Sequence, residues 1–405
     1  MHIGGIGIPL LPQTICPLML AAIPETLQIW NALPKTGRSR SLAAERFVDF
    51  PSDPQDKEWR KRTSEAIRDG QTDSRKAKAW QTFVKSTGAL ELHATLQARL
   101  MVNMASGVFE NGNLALDRLS GIPYIPGSAV KGCARRFAIH ALSEAPPNEK
   151  QALLEDITAV FGWGDQDWKS GRKRKKDGSE GEFYSDFEPA CGTEWEALKA
   201  LFKNKPAQSS GQVAFLPAFP VDGDPGIDLD IVTGHHAKYY EGGLPVATDT
   251  EEPVPVIFPA VSAFKKPNFL FGLLPLHSQT HPLAEKARTW LKQGLETFGI
   301  GAKTAAGYGW FKCLEQAEVE AHEAQATVAA SDFPTELVFQ NAIIARLNKP
   351  QEYENLKKEI EKLQRPENAQ WLEKLKTHLA SSSGKDARKR LKDKEWFPKD
   401  WLPQP

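Results

Sequence analysis

The stretch from Leu283 to Cys313 constrains the fold more than any other part of the chain. Leu283, Ala287, Trp290, Leu291, Leu295 and Phe298 recur at helical spacing, and Tyr308-Gly-Trp-Phe-Lys-Cys313 reads as a strand. Between them four glycines, Gly299, Gly301, Gly307 and Gly309, stand among small residues. Glycines in this setting permit positive φ and a close approach to backbone N–H groups, a composition suited to cradling phosphate. The familiar nucleotide loops do not fit it. A Walker motif ending at Lys303-Thr304 needs glycine where Thr297 and Ala302 stand. A dinucleotide fingerprint starting at Gly299 needs a small residue at Thr304, and it follows a strand and opens a helix, the reverse of the order here.

A second glycine-bearing stretch, Pro126-Gly-Ser-Ala-Val-Lys-Gly132, opens a helix expected from about Ser128 to Leu142, with Ser128 as its N-cap. Upstream, Leu92, Ala94, Leu96, Ala98, Leu100 and Val102 alternate with Glu91, His93, Thr95, Gln97 and Arg99, the clearest strand pattern in the chain. Val213 to Phe219 and Asn268 to Leu274 read as further strands, separated by a long insertion. The order is βαββαβ, so the expected class is α+β: a ferredoxin-like (RRM-like) core enlarged by insertions. In such a core the first strand-to-helix connection and the last helix-to-strand connection emerge at one end of the sheet. The two glycine motifs are therefore expected to converge. Lys131 and Arg135 lie four apart near a helix N-terminus, where the dipole favours an anion, and Lys303 would join them. The structural alternative for either motif alone is a helix cap at Ser128 and a tight turn at the glycines.

Charge and cysteine content narrow the class. Lys plus Arg and Asp plus Glu each number 51, so no global positive field drives binding to nucleic acid and any such binding uses local patches. Cys16, Cys133, Cys191 and Cys313 form no CxxC pair, which argues against structural zinc and a disulfide framework and fits a reducing cytoplasm. The first basic residue is Lys35, and Pro9, Pro12, Pro17 and Pro24 interrupt the apolar beginning, so it reads as an extended arm rather than a signal peptide or membrane helix. With 405 residues, the expected division is an N-terminal arm and helical region at 1–90, a core at 91–315 and a helical extension at 316–405. The extension rests on three amphipathic patterns, around Leu337 to Leu347, Tyr353 to Leu363 and Trp371 to Leu379, separated by Pro350 and Pro366. Its end, Trp396-Phe-Pro-Lys-Asp-Trp401, is unusually aromatic, and the extension is expected to dock within an assembly.

Gly121-Ile-Pro-Tyr-Ile-Pro-Gly-Ser-Ala-Val-Lys-Gly132 and the loop from Gly299 to Gly309 resemble the paired signatures of the RAMP superfamily of CRISPR-associated proteins. Gly211-Gln-Val-Ala-Phe-Leu-Pro-Ala-Phe219 and Leu229-Asp-Ile-Val-Thr-Gly-His-His-Ala-Lys-Tyr-Tyr240 narrow the resemblance to the family of sixth subunits of the type III-B Cmr effector complex. It covers about residues 90 to 315 and rests on three separated motifs in the right order. The resemblance implies a ferredoxin-like, RNA-binding subunit of an antiviral interference complex, without nuclease activity of its own. It further implies a seat near the 3′ end of the CRISPR RNA, beside the repeated backbone subunit and the terminal subunit, with target RNA met through the complex. The residues then expected at RNA are Ser128, Lys131, Arg135, Arg136, Gly299, Gly301, Lys303, Thr304, Gly307, Tyr308 and Gly309, with Tyr308 and Tyr124 as stacking groups. This reading invokes no cofactor, metal or membrane.

Two rival functions stay open at this point. One is a metal-independent endoribonuclease that processes CRISPR RNA, for which Tyr308 is the evident candidate at the glycine loop, with His93, His140, His235 and His236 as other general-base types. The other is a structural cap whose glycine motifs grip a neighbouring protein. Backbone relatives cleave with an aspartate after the first strand; Glu110 and Asp117 fall in that loop here, and neither matches it cleanly. Asp228, Asp230, His235 and His236 resemble a metal set superficially, but Ile227, Leu229 and Ile231 alternate with the aspartates as a half-exposed strand requires. The basic run at Lys169 and Arg172-Lys-Arg-Lys-Lys176 fits either phosphate contact or a solvated loop tip.

Overall fold

The computed structural model describes residues 24–34, 37–48, 56, 58–105, 111–168, 171–174, 180–183, 185–202, 208–234, 236–240, 242–243, 245–248, 253–321, 332–333, 335–365 and 368–403. Residues 1–23 of the N-terminal arm, which include Cys16, lie outside these residues, as do Glu110, Lys169, Lys175, Lys176 and His235; from Pro24 to Ala32 the chain is helical and not extended. The described residues fall into two compact units, Met1–Leu314 and Glu315–Pro405.

In the first unit the elements that position the site are α1 (Trp59–Asp69), α2 (Arg75–Ser86), β1 (Leu90–Leu96), α3 (Gly127–Glu144), α4 (Pro147–Phe161), β2 (Val213–Phe215), β3 (Phe219–Pro220), β4 (Ile227–Gly234), β5 (Val254–Val261), β6 (Asn268–Pro275), α5 (His281–Thr297) and β7 (Phe311–Cys313). Helix and sheet are mixed, as expected. The main sheet runs β7-β1-β6-β2, with β3 also on β6, and neighbouring strands are antiparallel. Ala94 lies opposite Phe269 on one side and Cys313 on the other, which makes β1 a central strand. Its apolar positions Leu92, Ala94 and Leu96 join one buried cluster with Val130, Ala134 and Ala138 of α3 and Ala287, Leu291 and Leu295 of α5. The two helices cross closely because position 294 is glycine: a Cβ there would lie 2.8 Å from the Cys133 carbonyl oxygen.

Several local expectations are corrected. The first strand ends at Leu96 rather than Val102. Beyond it the chain turns to serve the glycine loop, with the Gln97 N–H donating to the Trp310 carbonyl and the Arg99 and Met101 carbonyls accepting from Gly309 and Ala302. The second strand is split, because Pro217 has no N–H to give the ladder. Tyr308 precedes β7 and belongs to the loop. Directly after α3, α4 is an addition to the expected elements, although Leu154, Ile157, Val160 and Phe161 mark its buried face.

The paired strands β4 and β5 form a separate two-stranded ribbon, in register from Ile227 opposite Val261 to Gly234 opposite Val254. Its base is tied to the stretch after β1 by reciprocal Leu100 and Val261 hydrogen bonds of 3.1 and 2.9 Å.

The second unit contains α6 (Glu336–Ala342), α7 (Tyr353–Lys362), α8 (Ala369–Ala380) and α9 (Lys385–Leu391). Phe339, Leu356, Ile360, Trp371, Leu375, Leu379, Phe397 and Trp401 make its own core, so the aromatic end is used inside the unit. The short α9 escaped the sequence reading because only Ala387 and Leu391 mark its buried side. Among the described residues, no helix is long and apolar enough to cross a membrane.

Candidate nucleic-acid interface

The first motif places a helix start at a cleft. Gly127, not Ser128, is the first helical residue, and Pro126 occupies the capping position at φ −58° and ψ 144°. Glycine is required at 127 because a Cβ would run into the Phe215 carbonyl oxygen, so β2 approaches the helix start closely. Ser128 is therefore an exposed residue of the first turn and not the cap. It lines a cleft of about 770 Å³ with Lys131, Arg135, Phe161, Trp163 and Asp186. Lys131 Nζ donates to the Phe161 carbonyl at 2.7 Å, and burial, with Arg135 nearby, lowers its pKa. Arg135 bridges Asp167, at 2.7 Å, and Asp186. Arg136 is exposed and holds its guanidinium 4.5 Å from the Phe298 ring centre.

The glycine loop is a compact knot. Gly299, Gly301, Gly307 and Gly309 all have positive φ, as does Lys303 at 58°. At Gly301 and Gly309 a Cβ would collide with the Met101 and Ile300 carbonyl oxygens respectively. The N–H groups of Ile300, Ala302, Ala306, Gly307, Tyr308 and Gly309 donate to chain carbonyls, and the Thr304 carbonyl accepts from Gly307 N–H and Trp310 Nε1. Gly299 and Gly309 are buried, whereas Gly301 and Gly307 are exposed. Close backbone packing thus accounts for most of the glycines, and the surface the loop offers is carried by Gly301, Lys303 and the turn from Thr304 to Gly307.

The loop does meet the connection after β1, but Lys303 does not join Lys131 and Arg135. No residue of the loop lines their cleft. Lys303 Nζ sits 3.7 Å from the centre of the Phe258 ring and 5.9 Å from that of Tyr308. Burial lowers its pKa, with Asp230 opposing. Tyr308 donates its hydroxyl to Asp230, which also pairs with Arg99 at 2.8 Å; Arg99 reaches Asp228 at 3.4 Å. Burial on its own would raise the Asp230 pKa, but hydrogen bonds from Tyr308 and the Ile231 N–H, with the Arg99 charge, hold it low. Burial and that carboxylate push the Tyr308 phenol up to about 12. A phenol so held is a donor and a poor general base at neutral pH.

Other sequence-level candidates have structural occupations. Asp117 caps its own turn, accepting from Leu119 N–H, Ser120 N–H and Ser120 Oγ, and pairs with Lys76. His93, expected on a polar strand face without a partner, is buried at 6% exposure, accepts from Asn268 Nδ2 at 3.2 Å and lies 3.4 Å from Glu91. His140 packs edge-on against Phe298, and His236 Nδ1 donates to the Thr248 carbonyl at 3.1 Å. Asp228 and Asp230 serve Arg99. Tyr124 stacks on Phe219 with ring centres 5.2 Å apart. One feature the sequence reading missed is the turn between β5 and β6, where Phe264 is 90% exposed beside exposed Lys265 and Lys266. An aromatic next to two lysines and a proline, directly after an apolar strand, was the available signal.

Comparison with known proteins agrees with the motifs. The chain is 30% identical over 226 residues to the CRISPR system Cmr subunit Cmr6 of Pyrococcus furiosus, covering 53% of this chain and 64% of that relative, so less than two thirds of its length is matched. The crystal structure of Cmr6 from Pyrococcus furiosus aligns at 25% identity over 56% of this chain and 98% of that one, with a TM-score of 0.29. A chain in the cryo-EM structure of the type III-B Cmr-beta bound to cognate target RNA aligns at 17% identity over 64% of this chain and 72% of that one, with a TM-score of 0.40. The family model of the RAMP superfamily matches residues 67–312, more than half of the sequence, and the chain belongs to that superfamily.

Proposed function

We propose that this protein is a guide-RNA-binding subunit, without nuclease activity of its own, of a type III-B CRISPR interference complex. In this reading residues 91–315 form a ferredoxin-like core, supported by the strand order β7-β1-β6-β2 with α3 and α5 packed on the sheet. Its seat is near the 3′ end of the CRISPR RNA, against neighbouring RAMP subunits, and target RNA is met through the complex. The observation that carries the reading is the cleft at the α3 N-terminus, lined by Gly127, Ser128 and Lys131, whose N–H, hydroxyl and ammonium groups are donors of the kind a phosphate backbone takes, with Arg135 beside them paired to Asp167 and Asp186. Lys303, with the exposed turn after it, supplies a second cation at the glycine loop. The endoribonuclease alternative loses support from Tyr308, whose hydroxyl is committed to Asp230.

The test is binding of the purified full chain to repeat-spacer RNA over a salt series. Lys131→Gln and Lys303→Gln should each lower affinity across sequences and reduce the slope of log K against log salt by roughly 0.7 to 0.9 per lost contact. Unchanged binding in both would put the positive groups elsewhere. The structural-cap reading has its own supporting observation: Arg135 is engaged by Asp167 and Asp186, and much of the loop's N–H capacity is spent internally. Ultraviolet crosslinking separates the two, because a cap gives no RNA adducts on peptides 126–136 or 299–309.

A further inference from the structure

The turn Ser262 to Pro267 presents an apolar ring to solvent on a rigid support. Phe264 is 90% exposed, more than any other large hydrophobic side chain among the described residues. An aromatic ring left in water needs a reason, since burying it would be favourable. The backbone beneath it is fixed: Phe264 N–H donates to Ser262 Oγ at 3.2 Å, Lys266 N–H to the Ala263 carbonyl at 2.9 Å, and Ser262 N–H to the Gly226 carbonyl at 3.0 Å. Ser262, Pro267 and Asn268 on either side are buried. Lys265 and Lys266 follow directly, both exposed, and neither forms an ion pair with an acidic side chain among the described residues. The protein therefore holds out one flat apolar face with two unneutralised cations next to it.

The position in the fold adds to this. The Pro267 carbonyl accepts from Leu96 N–H at 3.0 Å, and the next residue, Gln97, donates to the Trp310 carbonyl of the glycine-loop connection at 2.8 Å. The turn and the glycine loop thus flank the same end of central strand β1, one on its β6 side and one on its β7 side. A strand of nucleic acid following the Lys303 surface along that edge of the sheet would reach Phe264.

We infer that Phe264 is a stacking platform for an unpaired nucleobase of single-stranded RNA, with Lys265 and Lys266 taking the flanking phosphates. The chemistry is that of sequence-tolerant single-strand binding: every base has a π face, and the cations follow the backbone. A base within a duplex is already stacked on both sides and offers this ring nothing. The inference rests on the RNA-binding reading above and adds to it the class of nucleotide and the residue that receives it.

The test uses the full chain and an oligoribonucleotide carrying 2-aminopurine, single-stranded or annealed to its complement. With the single strand, wild-type protein should quench the fluorophore. Phe264→Ala should abolish the quench and weaken binding roughly tenfold, Phe264→Trp should retain both, and Lys265→Gln with Lys266→Gln should weaken binding with a smaller salt slope. With the duplex, Phe264→Ala should bind as the wild type does. Because the ring is exposed, the alanine variant is expected to melt with the parent, so a lost quench reports the contact and not unfolding. If wild type and Phe264→Ala bind the single strand equally, this inference fails and the RNA-binding reading stands. If the wild type binds no RNA, both fail. Equal RNA binding with loss of a co-purifying protein subunit would overturn the inference in favour of a protein contact.

Discussion

Asp117 illustrates how one carboxylate can be mistaken for chemistry. It lies in the connection between β1 and α3, yet three hydrogen bonds from its own turn and the Lys76 ammonium occupy it. Burial on its own would raise its pKa, but the bonds from Lys76 and Ser120 hold it below the ordinary 3.8. The stability it contributes is therefore complete above about pH 4 and is lost as pH falls through its depressed folded value. Urea unfolding between pH 6 and pH 3 should show the wild type losing more stability than Asp117→Asn on acidification. Parallel loss in the two proteins would show that the carboxylate is not held as described.

At the scale of an element, the glycine loop shows that one motif can contain positions under different constraints. Gly309 is buried at φ 68°, and an added methyl would collide with the Ile300 carbonyl oxygen; Gly307 is exposed at φ 91°, and a methyl added there would meet nothing within 4 Å. The same substitution should therefore have unequal effects. Gly307→Ala costs about 1–2 kcal/mol for its left-handed backbone alone. Gly309→Ala adds a backbone collision and is expected to cost more than about 3 kcal/mol, read by chemical denaturation. Similar losses at both positions would mean that the loop relaxes around the methyl group.

At the scale of the whole molecule, two units have separate cores, and the RAMP match at 67–312 lies within the first. A chain ending at Leu314 should retain cooperative unfolding and the RNA affinity of the full protein, because the cleft, the glycine loop and the Phe264 turn all belong to that unit. The second unit is proposed to dock within the assembly, so the shortened chain should join its partner subunits less stably, measured by co-purification. Undiminished assembly would remove that role from residues 315–405.

What the sequence determined by itself is what short-range periodicity can carry. Alternating Leu92, Ala94 and Leu96 and the helical spacing before Gly299 sufficed for the central strand and the last helix of the core, because burying one face of a strand or helix leaves a period of 2 or 3.6 in adjacent residues, while the superfamily was legible through the resemblance of the signatures at 121–132 and 299–309. The tertiary structure decided which charges remain for a ligand. Arg135 is engaged by Asp167, 32 positions away, Tyr308 by Asp230, 78 away, and Arg99 by Asp230, 131 away. Such pairs have no local periodicity to reveal them. The expected meeting of Lys131, Arg135 and Lys303 failed because the α3 start packs on Phe215, which pairs with Leu273 beside Leu90 at one end of β1, whereas the glycine loop meets Gln97 and Arg99 past the other end.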